Sequence, residues 1–389
     1  MNNRENRENE EEPDQRKLLV LSPVSAEARG ISGERRSRRM MNILEQALEN
    51  VDYKQINQVE EIEEGDLKNR RVIFAINLSS AGVNLEFYRL LEYLRANENC
   101  LEGSVGGILV DGGGEMFTKG IARRMAFSAN RAGCLFPGRS LVEATGSLEN
   151  YRVLSRVTGK EPEEVYSSQS RKLVQRILEF PVEKWPVKNE EETRDFRETA
   201  AGEPAPLKVL AVHASTRKSS NTLLLWDMVK KELGSRVRVK EISLRNGQMT
   251  DCRGCKYETC KHFGEKGSCF YGGIMVDQVY PAIVECDVLV MICPNYNDAL
   301  GANLTAFINR LTAVVNTRSL GEKRIYALIV SGYSGGDILA EQVLGAMCFN
   351  KGFILPPSFA MIETANDPGS ILEIPDIQKA AEKFAEGIR

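Results

Sequence analysis

Histidine is nearly missing from this chain: His213 and His262 are the only two. No acid–base dyad is visible around either, so chemistry that runs on a paired histidine is not indicated. Long apolar runs are missing too. None approaches the ~20 residues a helix needs to span a bilayer. Neither sign of charge dominates: 51 Lys and Arg against 54 Asp and Glu leave a net −3. That removes any global electrostatic case for a nucleic-acid or anionic-membrane partner. Residues 1–15, MNNRENRENEEEPDQ, carry dense charge and no apolar anchor. They read as a disordered tail without the apolar core of a signal peptide, so cytoplasm is the expected compartment.

What is present is globular material with a concentration of cysteine. Hydrophobic residues make up 42% and charged residues 27%, and 389 residues suit two cores better than one. Nine cysteines in a cytoplasmic chain point to metal or redox use plus some buried thiols, because disulfides are rare there. Four of them fall in residues 252–269, CRGCKYETCKHFGEKGSC, spaced C-x2-C-x4-C-x8-C. Thiolates ligate both iron–sulfur iron and zinc, and one short loop can wrap such a centre. The candidate ligands are Cys252, Cys255, Cys260 and Cys269, with His262 inside the same loop. A cluster, a zinc ion and a set of unligated thiols all remain open at this point. Cys286, Cys293 and Cys348 sit in or beside apolar segments and read as small buried residues.

Strand and helix patterns alternate along the chain. Lys17–Pro23, Arg71–Asn77 and Val105–Asp111 read as buried strands. Met40–Leu48, Asn84–Arg95, Phe117–Ala129 and Pro162–Phe180 read as helices. Residues 181–206 are rich in charge and proline and read as a linker. The rhythm then restarts with strands Leu207–His213, Asp287–Cys293 and Ile325–Ser331. Helices are expected over Thr222–Leu233, Leu304–Val315 and from about Ile338. The halves also match each other. ILVDG at 108–112 parallels LIVSG at 328–332, and at the same offset of 220 Ala126 meets Ala346, Asn130 meets Asn350 and Pro137 meets Pro357. The expectation is an α/β chain of two doubly wound parallel sheets in tandem, with domains at 16–180 and 207–389.

Three loops in the second half carry the functional signal. Residues 213–222, HASTRKSSNT, lie between a strand and a helix, where unpaired N–H groups and the helix dipole favour a phosphate. Ser215, Arg217, Ser220, Asn221 and Thr222 are the candidate contacts. The next strand ends in Pro294, Asn295, Tyr296, Asn297 and Asp298. The one after it ends in Ser331, Gly332, Tyr333, Ser334, Gly335 and Gly336. Each loop sits where a doubly wound fold places its ligand.

Together these segments resemble the flavodoxin-like NAD(P)H-dependent FMN reductases over about residues 207–389. The resemblance implies that the S-x-R-x-x-S-N-T run holds the FMN phosphate, with Tyr296 or Tyr333 beside the flavin ring. It implies NAD(P)H as electron donor and a small-molecule or protein electron acceptor. Within that superfamily, a cysteine run between the second and third strands is the mark of the iron–sulfur flavoproteins, where it carries a [4Fe–4S] cluster near FMN. The spacing here departs from theirs: the middle gap is four residues rather than two, and the last is longer.

The first half lacks both the compact phosphate loop and the cysteines. It offers Arg29, Arg35, Arg36, Arg38 and Arg39 after its first strand, either for a phosphate or as a solvated helix start. It keeps a Gly-rich turn at Asp111-Gly112-Gly113-Gly114, and Asn77–Gly82 stands in place of the proline–aromatic loop. A degenerate copy and a second nucleotide pocket are both open readings. As a degenerate copy it would replace, within one chain, the partner that such reductases recruit as homo-oligomers. A non-enzymatic flavin or iron–sulfur electron carrier is the alternative to the reductase.

Overall fold

The computed structural model of the protein describes residues 18–24, 31–182, 205–215, 220–245, 247 and 249–389, the side chains of 31–37 excepted. The expected tail and most of the expected linker lie outside these residues.

The first sheet holds β1 (Leu18–Leu21), β2 (Tyr53–Ile56), β3 (Arg71–Leu78), β4 (Val105–Gly112) and β5 (Leu141–Ala144), in the order β2-β1-β3-β4-β5. Around it lie α1 (Ile31–Ala47), α2 (Leu85–Ala96), α3 (Thr118–Arg131), α4 (Arg152–Thr158) and α5 (Pro162–Glu179). The second sheet holds β6 (Leu207–His213), β7 (Val237–Ser243), β8 (Val288–Tyr296), β9 (Ala299–Leu300), β10 (Arg324–Ser331) and β11 (Ala360–Thr364). Its main path runs β11-β10-β8-β6-β7, with β9 folded back on β8. Its helices are α6 (Asn221–Glu232), α7 (Tyr257–Glu265), α8 (Tyr280–Glu285), α9 (Ala302–Arg310), α10 (Thr312–Val315), α11 (Gly336–Leu344) and α12 (Ile377–Ile388). Apart from the β8–β9 hairpin, every strand pairing is parallel. Both sheets have the flavodoxin-like order 2-1-3-4-5. Among the described residues, no helix is long and apolar enough to cross a membrane.

Local sequence explains the elements. β4 is buried along its whole length, so VGGILVDG is apolar on both faces as a central parallel strand requires. Asn84 caps α2 by accepting from the Phe87 N–H, while its amide ties Pro23 and Asn77 carbonyls together. Pro162 opens α5 at a position where no N–H is needed.

The two halves superpose element on element, but not at the offset of 220 that the sequence match suggested. Ile108 pairs Leu141 as Ala327 pairs Ala360, and Val105 bridges Leu135 as Arg324 bridges Ile354. Each correspondence spans 219 positions. The matches of Ala126, Asn130 and Pro137 to Ala346, Asn350 and Pro357 are therefore one residue out of register. The helices differ in length as well. From the left-handed Phe117 to the left-handed Gly133 is one residue shorter than from Gly335 to Gly352. The longer copy winds Gly345–Lys351 as a π-helical turn, which absorbs the added residue.

The halves meet through these equivalent segments. Phe136 N–H donates to the Leu355 carbonyl (3.0 Å) and Leu355 N–H donates to the Phe136 carbonyl (2.8 Å). Phe136 and Leu355 are counterparts at the 219 offset, so a pseudo-two-fold axis passes between them, as in an isologous dimer. One apolar cluster runs from Leu19 through Phe136 to Phe359 across both halves.

Candidate functional site

β6 delivers the chain to His213, and α6 begins at Asn221 after the N-cap Ser220. The Ser220 side chain does not cap the helix. Its hydroxyl lies 2.8 Å from Thr222 Oγ1 and 3.4 Å from Ser215 Oγ. Three hydroxyls thus cluster at a helix start whose first amides have no cap from Ser220, an arrangement that suits a phosphate. Arg217 lies outside the described residues. The Asn221 side chain is committed elsewhere: it donates to the Ala365 and Asp367 carbonyls and accepts from Gly369 N–H. It holds the loop after β11 against α6, so its amide is not free for a phosphate, contrary to the sequence reading.

His213 is buried, with Nε2 3.6 Å from Glu241 Oε1. Burial, partly offset by Glu241, pulls its pKa below the usual histidine range. Glu241 is itself held by Trp226 Nε1 (3.0 Å) and Lys230 Nζ (3.3 Å).

The proline–aromatic loop is a tight hairpin. Asn295 pairs Leu300, Tyr296 pairs Ala299, and the two turn residues Asn297 and Asp298 have φ of 54° and 56°. Two successive left-handed residues make the type I′ geometry that Asn and Asp favour. Pro294 lies inside β8 opposite Val330. Asn295 Nδ2 reaches Ser331 Oγ (3.1 Å), the Ser334 carbonyl (2.9 Å) and Asp298 Oδ1 (3.3 Å), which joins the hairpin to the Gly-rich loop. Gln342 of α11 braces the hairpin from behind, accepting from Leu300 N–H and donating to the Asp298 carbonyl.

In the Gly-rich loop, Gly335 is left-handed (φ 83°) and Gly336 opens α11. A Cβ on Gly335 would sit 2.0 Å from Asp298 Oδ1, and one on Gly332 3.0 Å from Asn366 Oδ1. Tyr296, the last residue of β8, and Tyr333, two residues past β10, stand out at 60% and 82% exposure. Two unpartnered aromatic faces beside close-packed glycines fit a planar ring approached by backbone amides. Gln342 and Asn366 escaped the sequence reading, because single polar residues on a helix and in a loop carry no pattern.

The cysteine segment follows β7 at the same end of the sheet. Cys252 is exposed, and Cys255, Cys260 and Cys269 are partly buried. Burial, then the thiols of Cys269, Cys252 and Cys255, push the Cys260 thiol upward, so the four lie within electrostatic reach of one another. They do not form a ligand set. Among the described residues no three Cys, His, Asp or Glu side chains come together closely enough to hold a metal ion. Cys260 rides on α7, Cys252 and Cys255 precede the helix, and Cys269 follows it. His262 sits 3.1 Å from Lys266 Nζ rather than beside a thiol. As arranged, these residues do not fit a [4Fe–4S] cluster. Cys286, Cys293 and Cys348 are buried, as expected.

In the first half Arg39 is engaged by the chain itself. Arg39 pairs with the buried Asp111 through two bonds (2.5 and 2.9 Å) and also donates to the Gly112, Thr145 and Gly146 carbonyls. It is therefore neither a phosphate contact nor a solvated residue. A Cβ on Gly113 would lie 2.8 Å from the Ser79 and Ser80 backbone, and one on Gly114 2.6 Å from the Ser80 carbonyl oxygen. The loops after β3 and β4 lie directly on each other, which favours the degenerate copy. Arg39→Met would strand the Asp111 carboxylate, whose side chain is 3% exposed. An uncompensated buried charge of this kind costs about 3 kcal/mol, which urea unfolding would register as a lower midpoint at unchanged slope.

With this geometry in place, comparison with known proteins assigns the second half. Residues 207–367 match the NADPH-dependent FMN reductase family. The C-terminal half is a flavodoxin-like FMN reductase domain. The azoreductase from Bacillus anthracis str. Sterne is 18% identical, with 47% of this chain and 98% of that one covered at a TM-score of 0.33. The FMN-dependent NADH-azoreductase from Bacillus anthracis str. Ames Ancestor, solved with FMN, is 14% identical over 46% and 98% of the two chains, TM-score 0.34. The Trp repressor binding protein from Bacillus subtilis is 18% identical over 45% and 96%, TM-score 0.32. Among curated proteins none matches the chain. The reductase domain's hydroxyl cluster, hairpin and Gly-rich loop are the groups that would hold FMN.

Proposed function

We propose that the chain is an NAD(P)H-dependent flavin oxidoreductase that binds one FMN, in its C-terminal half, and passes electrons to a small-molecule or protein acceptor. The observation that carries this reading is the joining of hairpin and Gly-rich loop by Asn295, with Tyr296 and Tyr333 exposed beside it. When bound, FMN supplies the hydride and electron chemistry. The chain supplies binding and orientation. Ser215, Ser220 and Thr222 offer hydroxyls to the phosphate at the start of α6, where the dipole favours an anion. Asn295 and Gln342 fix the hairpin against α11, which sets where Tyr296 stands. The exposed faces of Tyr296 and Tyr333 leave room beside the loops, where a nicotinamide could stack against the flavin. No protein acid or base is required at the reacting atoms, in keeping with the scarcity of histidine.

The test is a flavin titration followed by turnover. FMN fluorescence is expected to be quenched to saturation at one equivalent per chain, and the loaded protein to oxidise NADH or NADPH at 340 nm with an added quinone or azo dye. Saturation at two equivalents would show a second flavin site, in the first half, and end the degenerate-copy reading. FMN binding without turnover on either nucleotide would leave a flavin electron carrier and end the reductase reading.

A further inference from the structure

The cysteine segment gathers no metal-ligand set, yet its fold carries two of its thiols toward one place. α7 ends at Glu265, and the left-handed Gly267 (φ 65°) turns the chain back on the helix. Gly267 N–H donates to the Gly264 carbonyl and Ser268 N–H to the Phe263 carbonyl, both at 2.9 Å. The Phe263 and Phe270 rings then meet edge to face at 5.6 Å. Cys269, between Ser268 and Phe270, is thus returned alongside the helix that bears Cys260, and both cysteines pack on the same apolar cluster. Hydrogen-bonding groups surround them. Asn316 Nδ2 lies 3.8 Å from Cys260 Sγ. The Tyr280 hydroxyl, which donates to the Arg310 carbonyl (2.8 Å), touches the Cys269 thiol. Among the thiols that act on Cys260, Cys269 acts most strongly. Arg310, only 2% exposed, ties the ends of the segment together: Nη1 donates to the Thr250 carbonyl (3.4 Å) and Nη2 to the Gly272 carbonyl (2.7 Å). Gly272 N–H in turn donates to the Cys269 carbonyl (2.9 Å), and Arg310 Nε has no partner. A buried cation held by carbonyls therefore stands next to the Cys269 turn.

We propose that Cys260 and Cys269 form a reversible disulfide by exchange with an external disulfide, which makes this segment a thiol redox site rather than a metal site. The exchange balances without metal or flavin. One of the two sulfurs, as thiolate, attacks a sulfur of the external disulfide and releases the first external thiol. The other then attacks the mixed disulfide and releases the second. Two protein thiols become one S–S bond, and the external S–S bond becomes two thiols. A disulfide needs only two sulfurs to meet, whereas a metal needs three or four, and among the described residues no three come together. A neighbouring guanidinium favours the attacking thiolate. Access is open as well: Cys260 and Cys269 are only partly buried, and Tyr257 and Phe270, their neighbours along the chain, are exposed. Cys134, Cys286, Cys293 and Cys348 are buried and out of reach of such a reagent. The proposal goes beyond the reductase reading and does not depend on bound FMN.

The experiment equilibrates the full chain, purified without oxygen and fully reduced, with glutathione buffers of rising disulfide content. After acid quenching, about two thiols per chain are expected to disappear together. Peptide mapping should find one internal crosslink, between Cys260 and Cys269, that dithiothreitol reverses. Cys260→Ser should abolish the crosslink and leave Cys269 as a mixed disulfide with glutathione, while Cys252→Ser and Cys255→Ser keep it. Mapping of the wild-type chain decides the pairing even where a serine variant fails to fold. A parallel arm replaces oxidised glutathione by insulin, and the reagent that forms the crosslink faster shows whether a small or a protein disulfide is the better substrate. Retention of all thiols with both reagents, a crosslink between any other pair, or about four irons with acid-labile sulfide in the purified chain would each overturn the proposal. FMN titration of the same samples is read separately. Saturable FMN binding without the crosslink ends this proposal and leaves the flavin reading, and the crosslink without FMN binding does the reverse.

Discussion

Gly335→Ala is expected to weaken FMN binding by about tenfold or more while the domain remains folded. Two effects act at this residue. At φ 83° an alanine bears the left-handed penalty of about 1 kcal/mol. The larger effect is steric, because the new Cβ would lie 2.0 Å from Asp298 Oδ1 and 3.1 Å from Asn295 Nδ2. Relief requires the Asp298 carboxylate to swing away and the Asn295 amide to yield, which weakens the Asn295 bonds to Ser331 and Ser334. At about 1 kcal/mol for each weakened bond, the loss corresponds to about tenfold or more in affinity. Gly234→Ala is the matching control. It carries a similar φ, 74°, with nothing within 4 Å of its Cβ, so it should lose about 1 kcal/mol of stability and bind FMN as wild type does. Flavin titration and thermal unfolding of both variants separate the two effects. Equal FMN affinities in Gly335→Ala and Gly234→Ala would show that the hairpin–loop contact does not position the flavin.

The parts of this architecture that were legible in the sequence share a physical origin. Arg71–Asn77, Val105–Asp111, Leu207–His213, Asp287–Cys293 and Ile325–Ser331 all announced strands, and these form the centres of the two sheets. A central parallel strand is buried on both faces and reads as an apolar run. β2, β5, β7 and β11 were missed, and each is a sheet edge. An edge such as VRVKEIS has one wet face, and its alternation is too short to stand out. The same two-sided burial explains the slip from 219 to 220: ILV against LIV carries no polar mark to fix the register. Glycine and turn residues were legible because their conformations are demanding, so the hairpin at Asn297–Asp298 and the loop at Gly335 sit where the motifs placed them. Side-chain partnerships were not. Nothing in HASTRKSSNT says that Asn221 serves the 365–369 loop, or that Arg39 reaches Asp111 across 72 positions. The cysteines show the limit most clearly, since spacing brings four thiols into one segment but only the path of α7 decides whether their sulfurs meet.

The seam between the halves yields the second large effect, at Asn130. This residue is fully buried at the pseudo-two-fold contact. Its Nδ2 donates to the Cys134 carbonyl of its own half (3.0 Å) and to the Pro356 carbonyl of the other (2.6 Å), and its Oδ1 accepts from Phe359 N–H (3.1 Å). Asn130→Ala leaves two carbonyls and an N–H without partners in a dry site. At about 1–3 kcal/mol for each stranded group, partly relieved by relaxation, a loss of roughly 4 kcal/mol is expected. Asn130→Asp should cost at least as much, because a carboxylate cannot donate to Pro356 and would be buried without a cation. The loss falls on the coupling as well as on either half. A shared apolar cluster makes the chain unfold as one unit, and weakening the seam should split a single calorimetric transition into two. Ser147→Ala, whose backbone N–H bonds to Glu115 on the exposed surface, should leave the single transition in place. A loss below about 1 kcal/mol in Asn130→Ala, with one sharp transition retained, would mean that apolar packing between the sheets joins the halves without this side chain. A loss near 4 kcal/mol with two transitions would mark the first half as a built-in partner that holds the flavin-binding half in shape.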